Sequence, residues 1–132
     1  MLDNVDAALE SAISSHEAGD LLLAGEKYLE ILKADPSHAD ANHNFGLLCS
    51  KLGEPAMGVQ FLRTAIESNP SVAGFWISII TTLIEIKDVE NAKIALETAK
   101  EVGHKGEVFE KLDSNIELLR CLLYTSDAAD DC

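Results

Sequence analysis

Large and small apolar residues recur along this chain at a fixed step of 34 positions. Tyr28, Leu62 and Leu96 form a series of large residues, Ala24, Gly58 and Ala92 a series of small ones, and Ile31, Ala65 and Ala99 a third. The turn-formers keep the same step, with Gly19 and Gly53 in one register and Pro36 and Pro70 in another. Self-similarity at such a period marks stacked supersecondary units, each too small to bury its apolar face alone. Cut at that step, the chain gives 5–38, 39–72 and 73–106, each with two amphipathic helical stretches around a short polar turn. The predicted unit is a helical hairpin, and the predicted fold class is all-α.

Within each unit the small residue precedes the large one by four positions, which places both on one helix face. The pairs are Ala24 with Tyr28, Gly58 with Leu62 and Ala92 with Leu96. A side chain no larger than alanine lets two helix backbones approach, and the large neighbour fills the adjoining space. The punctuation agrees with this. Residues 37–40, from Ser37 to Asp40, are expected to form a capping box after Pro36. Pro55 suits the first position of a restarted helix, Asp88 can cap another, and Gly103 can close it in a left-handed conformation. The uncharged run from Pro70 to Ile84 reads as a buried helix, too short and too polar to span a bilayer. Glu107 to Arg120 is expected to add one more helix, with Val108, Leu112, Ile116 and Leu119 on one side.

Three units in register resemble the tetratricopeptide repeat family. Unit 39–72 carries the resemblance best, through Phe45, Gly46, Gly58, Leu62, Ala65 and Pro70. Unit 73–106 supplies Trp76, Ala92, Leu96 and Ala99 but has His104 where the family has proline. Unit 5–38 keeps Ala12, Gly19, Ala24, Tyr28 and Pro36 and departs at Ala8 and Ser11, where bulk is expected, so its first helix is expected to pack weakly. The resemblance implies a right-handed α-solenoid of antiparallel hairpins: three units, then 107–120 as the first helix of an incomplete fourth unit or a cap.

By the same resemblance, the first helix of every hairpin lines a concave groove that takes a protein or peptide. The implied groove residues are Leu9, Ile13, His16 and Glu17, beside Asp6, in the first unit. They are Asp40, His43, Leu47, Ser50 and Lys51 in the second, and Ile77, Thr81, Ile84 and Glu85, beside Gly74, in the third. Apolar members would form a stripe with an acidic rim, or would pack between neighbouring first helices. The family's chaperone-binding members hold peptide carboxylates with Lys, Asn and Arg. Leu9, Ile13 and Ile77 stand at several of those places and only Asn44 remains, which argues against a carboxylate clamp.

Charge narrows the partner. The chain of 132 residues carries 23 acidic and 10 basic residues, a net −13, without a basic run to follow a phosphate backbone. No nucleic acid and no anionic membrane is expected as a partner on that ground; the acidic excess reads first as solvated helix faces, and second as recruitment of a protein or peptide that is basic or apolar. The acid-rich opening MLDNVDAALE lacks a secretory signal's pattern. With an odd count of cysteines, Cys49, Cys121 and Cys132, it points to a reducing, cytoplasmic setting without a disulfide framework. His38 and His43 are five apart, which misses the helical spacing for metal ligation, and no nucleophile is paired with a base. The chain is therefore expected to bind no metal or cofactor and to catalyse nothing.

The favoured function is an interaction scaffold, with self-association through an exposed end hairpin as a further expectation. The alternative rests on Gly103 to Leu112, which resembles the linker after such repeats in bacterial multidomain transferases. On that reading the chain is the repeat region of a glycosyltransferase- or sulfotransferase-like enzyme whose catalytic domain lies elsewhere. The last twelve residues, CLLYTSDAADDC, resemble the translated sequencing-adaptor tails of some metagenomic reading frames. Residues 121–132 are accordingly expected to be non-native, with the return helix of a fourth hairpin missing.

Overall fold

The computed structural model describes residues 4–124. Seven helices and no strand are found among them: α1 (Val5–Glu17), α2 (Leu21–Ala34), α3 (Ala39–Lys51), α4 (Pro55–Ser68), α5 (Ala73–Glu85), α6 (Val89–Val102) and α7 (Glu107–Tyr124). They group into two compact units, Met1–Pro70 with α1–α4 and Ser71–Cys132 with α5–α7. Each is an all-α assembly of antiparallel hairpins, as the 34-residue period predicts.

One turn repeats in all three hairpins. Asp20 N–H donates to Ser15 O at 2.9 Å, Glu54 N–H to Cys49 O at 2.8 Å, and Asp88 N–H to Leu83 O at 2.9 Å. These six-to-one bonds satisfy carbonyls that the helix end would otherwise leave unpaired, and they require a left-handed residue between. Gly19 (φ 87°) and Gly53 (φ 86°) supply it in the first two turns. The third has Lys87 at φ 62°, 34 positions after Gly53, where a Cβ crowds the following carbonyl. Replacing Lys87 with glycine is therefore expected to stabilise unit 2 by about 1 kcal/mol, the scale of one left-handed residue. A shift of the urea midpoint to higher concentration at constant slope is the measure, and an unchanged midpoint would refute the strain.

The core follows the predicted series. Ala24, Tyr28, Ile31, Leu62, Ala65, Ala92, Leu96 and Ala99 are all fully buried. At the α3–α4 crossing the helices meet backbone to backbone: a Cβ on Gly58 would stand 2.5 Å from Gly46 O. The first helix is thinly anchored, since α1 buries only Ala12 while α3 buries five residues. Around Ala12, Ala24, Tyr28 and Leu48, the half-buried Leu9, Ile13, Leu21 and Phe45 complete the cluster.

Capping departs from expectation at one place. The N-cap of α3 is His38, whose Nδ1 accepts from Ala41 N–H at 3.1 Å. Ser37 instead turns its hydroxyl to Asp35 Oδ1 at 3.2 Å, while its carbonyl accepts from Ser68 Oγ at 2.7 Å. Ser37 is thus spent on joining the ends of α2 and α4 and is too far back to cap α3. The other expected caps are present: Pro55 opens α4, Asp88 Oδ1 accepts from Asn91 N–H at 3.2 Å, and Gly103 is left-handed at φ 115°. Asn42, which no motif flags, is 2% exposed and donates to Pro36 O at 3.0 Å and His38 O at 2.8 Å, tying the loop to α3.

Helix α7 begins at Glu107 as predicted but continues to Tyr124, four residues past the expected end. Cys121 to Tyr124 are helical and the remaining tail residues, 125–132, lie outside the described region. The buried face of α7 is Phe109, Leu112 and Ile116, with Val108 about half exposed. Phe109 displaces Val108 because it stacks on His104, ring centroids 6.0 Å apart. His104 also lies 6.2 Å from Trp76, so the residue replacing the family's proline packs between two aromatic rings. Cys49 is a buried free thiol.

Candidate partner-binding faces

In unit 1 the predicted groove residues lie on α1 and α3, which pack side by side. Their apolar members are only partly available. Leu9 and Ile13 are half-buried against the Ala12–Tyr28 cluster, and Leu47 is half-buried on α3. Glu17, Asp40 and Lys51 are exposed, and Asp6 with them. His16, His43 and Ser50 are half-buried, and the Ser50 Oγ is enclosed with no hydrogen-bond partner.

The polar groups are held by the neighbouring helix. Tyr28 of α2 brings its hydroxyl to 3.1 Å from His16 Nδ1, with the two rings edge to face. Phe45 of α3 lies 6.4 Å from Tyr28, and Phe61 of α4 lies 4.7 Å from Phe45, both edge-on, so one aromatic line crosses all four helices. Lys27 Nζ donates to Ser11 Oγ at 2.8 Å and Ser15 Oγ at 3.0 Å, a second polar tether of α1 to α2. The unpredicted partners here are Tyr28 and Lys27. A buried tyrosine hydroxyl needs a partner, and that requirement was the only signal in the sequence.

Burial sets the electrostatics of this face. It lowers the His16 pKa from the ordinary 6.5, Lys51 adding to the shift and Glu17 opposing it. Burial lowers His43 in the same way against the pull of Asp40. The Tyr28 phenol is pushed up to about 12, by burial first and then by the Glu17 charge. Burial and then Glu54 raise the Cys49 thiol, which keeps it protonated and unreactive near neutrality. Asn44 donates its amide to Asp40 O at 2.9 Å, so its side chain serves the helix it stands on.

In unit 2 the predicted residues share α5. Ile77 and Ile84 are half-buried, Thr81 and Glu85 exposed, while Phe75, Trp76, Ile79, Ile80, Thr82 and Leu83 take the core. Thr82 donates its hydroxyl to Ser78 O at 2.8 Å. A surface network joins α6 to α7: Lys93 lies 3.3 Å from Asp113 and 3.4 Å from Glu117, Lys100 3.4 Å from Asp113, and Arg120 3.0 Å from Glu117. Burial pulls the Lys93 pKa down, but hydrogen bonds and charge from Asp113 and Glu117 outweigh it and leave it raised. These pairs are largely exposed, and solvent screening leaves each of little worth to stability.

Clefts occur away from the predicted residues. One of about 480 Å³ lies at the α6–α7 turn beside Lys100, His104 and Phe109. Another of about 440 Å³ lies on α2 beside Glu26, Leu29 and Lys33, and a third of about 430 Å³ beside Ile94, Arg120 and Tyr124. Among the described residues no group of three His, Cys, Asp or Glu side chains is placed to hold a metal ion, and no helix is long and apolar enough to cross a membrane.

Comparison with known proteins fits this geometry. Residues 39–72 match the family model of the tetratricopeptide repeat, and no curated protein matches the chain. Among solved structures, the TPR2B domain of yeast Sti1 in complex with an Hsp70 peptide superposes with a TM-score of 0.73 at 20% identity, over 87% of this chain and 94% of that one. The first such domain of Spaghetti (RPAP3), bound to the HSP90 peptide SRMEEVD, superposes at 0.74 and 18% identity, over 87% and 92%. The O-GlcNAc transferase of Thermobaculum terrenum superposes at 0.71 and 22% identity, over 93% of this chain and 23% of that one. Residues 39–72 thus match the tetratricopeptide repeat, and the chain is similar in fold to domains built from such repeats.

Proposed function

We propose that this chain is a non-enzymatic interaction module that binds a protein or peptide segment on the first-helix faces of its hairpins. The observation that carries the reading is the α1–α3 face of unit 1, where half-buried Leu9, Ile13 and Leu47 stand beside exposed Asp6, Glu17 and Asp40. Apolar surface there offers non-directional burial and the acidic rim selects against acidic segments. The net charge of −13 adds a long-range bias in the same direction. Peptide complexes of similarly folded domains support the class of partner, and the preferred segment for this chain is apolar and basic. Its α5 face, through Ile77, Thr81, Ile84 and Glu85, offers unit 2 a comparable surface.

Binding of lysine-rich apolar peptides, read by fluorescence anisotropy, tests this. Asp40→Lys and Glu17→Lys are each expected to weaken binding about fivefold, the worth of one exposed charge pair of about 1 kcal/mol. Thermal stability should change little, because both side chains are exposed and only the charge at the α3 N-terminus is unfavourably reversed. Equal affinity of both variants and the original chain would remove this face from consideration.

A second reading rests on the Thermobaculum terrenum transferase, whose likeness to this chain spans 23% of its own length. In that case the module handles substrate for a catalytic domain encoded beside it. The parent gene separates the two: alternating strand and helix patterns after this region support the enzyme, and further 34-residue units support the scaffold. Cytoplasmic location and self-association through an end hairpin belong to the same proposal, and light scattering at low concentration tests the latter.

A further inference from the structure

The outward stripe of α2 differs from those of the other second helices. Leu22, Glu26, Leu29 and Lys33 recur at helical spacing, so they lie along one face, and all four are exposed. Leu22 is 77% exposed and Leu29 47%. The 34-residue period puts Ala56, Gln60, Arg63 and Glu67 at these places on α4, and Glu90, Ile94, Glu97 and Glu101 on α6. Only α2 combines two leucines with one acid and one base. The cleft of about 440 Å³ on this helix is lined by Glu26, Leu29, Glu30 and Lys33. Among the described residues, no ion pair or side-chain hydrogen bond engages Glu26, Glu30 or Lys33.

We infer that a second copy of the chain docks its own α2 on this stripe in the antiparallel sense, a contact that rests on self-association of the end hairpin and names its surface. Glu26 and Lys33 are two turns apart, about 10 Å along the helix, and Leu29 stands close to their midpoint. Turning one copy end for end about that midpoint sets Lys33 against Glu26 of the second copy, and Glu26 against its Lys33. Leu29 then meets Leu29 of the second copy between the two ion pairs. Glu30, one turn beyond Glu26, comes within reach of the same lysine. At each end Leu22 covers the turn after the other α2, where Pro36 is exposed.

A two-fold contact of this kind makes every favourable pair twice. The helix macrodipole accounts for a lysine near the end of α2, but it gives no reason for leucines at outward positions. Covering them removes apolar surface from water, which drives the contact, and the charges fix its direction and register. One helix from each copy covers less than the ~1,200 Å² of a stable interface, so the association is weak and reversible. The net charge of −13 opposes it at long range. At physiological ionic strength that repulsion is confined to about 8 Å, whereas the pairs enclosed by the contact are screened less.

Sedimentation equilibrium of the whole chain across a concentration series, at physiological ionic strength, tests the contact. The parent chain should approach a dimer at the upper end. Glu26→Lys and Lys33→Glu should each weaken the dimer about tenfold, because both symmetric pairs are reversed at once. Mixing the two variants in equal amounts should recover most of that loss, since Glu26 and Lys33 positions then face opposite charges again. Leu29→Asp should leave a monomer. All three variants should keep the circular dichroism of the parent, as each position is exposed. A dimer indifferent to Glu26→Lys and Lys33→Glu, or no recovery on mixing, overturns the α2 contact while self-association itself stands. A chain that stays monomeric throughout the series overturns both.

Discussion

Replacing Gly58 with alanine is expected to destabilise unit 1 by up to about 2 kcal/mol, although alanine is the better helix former. The propensity gain is about 1 kcal/mol. Against it stands a Cβ placed 2.5 Å from Gly46 O and 3.3 Å from Cys49 Cβ. Because the obstacle is backbone, no side-chain rotation relieves it and α4 must move off α3. Overpacking of this kind costs about 1–3 kcal/mol and sometimes more. Gly46→Ala meets Leu62 Cγ at 2.8 Å and Gly58 O at 3.0 Å. Part of that clash is a flexible side chain, so its penalty should be the smaller of the two. Urea unfolding followed by circular dichroism measures both, and a Gly58→Ala chain as stable as its parent would show that the helices are further apart than described.

The largest effect in unit 2 is expected at Trp76, the chain's single tryptophan. It is 6% exposed and lies against His104, which in turn stacks on Phe109 of α7. Removing the indole leaves a cavity where α5, the α6–α7 turn and α7 converge, so Trp76→Ala should cost about 3–5 kcal/mol. Trp76→Phe keeps an aromatic neighbour for His104 and should recover more than half of that loss. In the unaltered chain the same residue reports directly: its fluorescence should shift to the red when unit 2 unfolds. A Trp76→Ala chain with nearly unchanged melting would mean that the indole does not anchor this corner of unit 2, since the exposed Lys93–Asp113–Lys100 pairs are too weak to mask its loss.

The residues that sequence reading placed well are those whose roles are local or periodic. Ala24 with Tyr28, Gly58 with Leu62 and Ala92 with Leu96 could be paired from spacing alone, since four positions on a helix share a face whatever surrounds it. Gly103 and Asp88 were legible for a similar reason: a helix end leaves unpaired groups, and few residue types satisfy them. Ser37 misled because its hydroxyl had two uses. The Asp35 carboxylate took it, while Ser68, 31 positions away, fixed the Ser37 carbonyl.

The candidate faces were less legible. Spacing assigns Leu9, Ile13 and Leu47 to the first-helix side but does not say how deeply each is buried, because depth depends on the neighbouring helix. Leu9 and Ile13 turn out to pack partly against the cluster of Ala12, Ala24, Tyr28 and Leu48. His16 was predicted as a groove residue, and its bond to Tyr28 turns part of that surface inward.

Periodicity alone was sufficient for an all-α chain of helical hairpins, because it depends only on residue type and order. Tertiary structure decided where contact replaces pattern. It put Lys87 into a left-handed turn that glycine occupies in the other hairpins, gave proline's place to His104 between two rings, and buried Phe109 in preference to Val108. In each case the deciding neighbour is supplied by another helix or by a turn whose shape is set before its residues are chosen, and a one-dimensional pattern does not contain that neighbour.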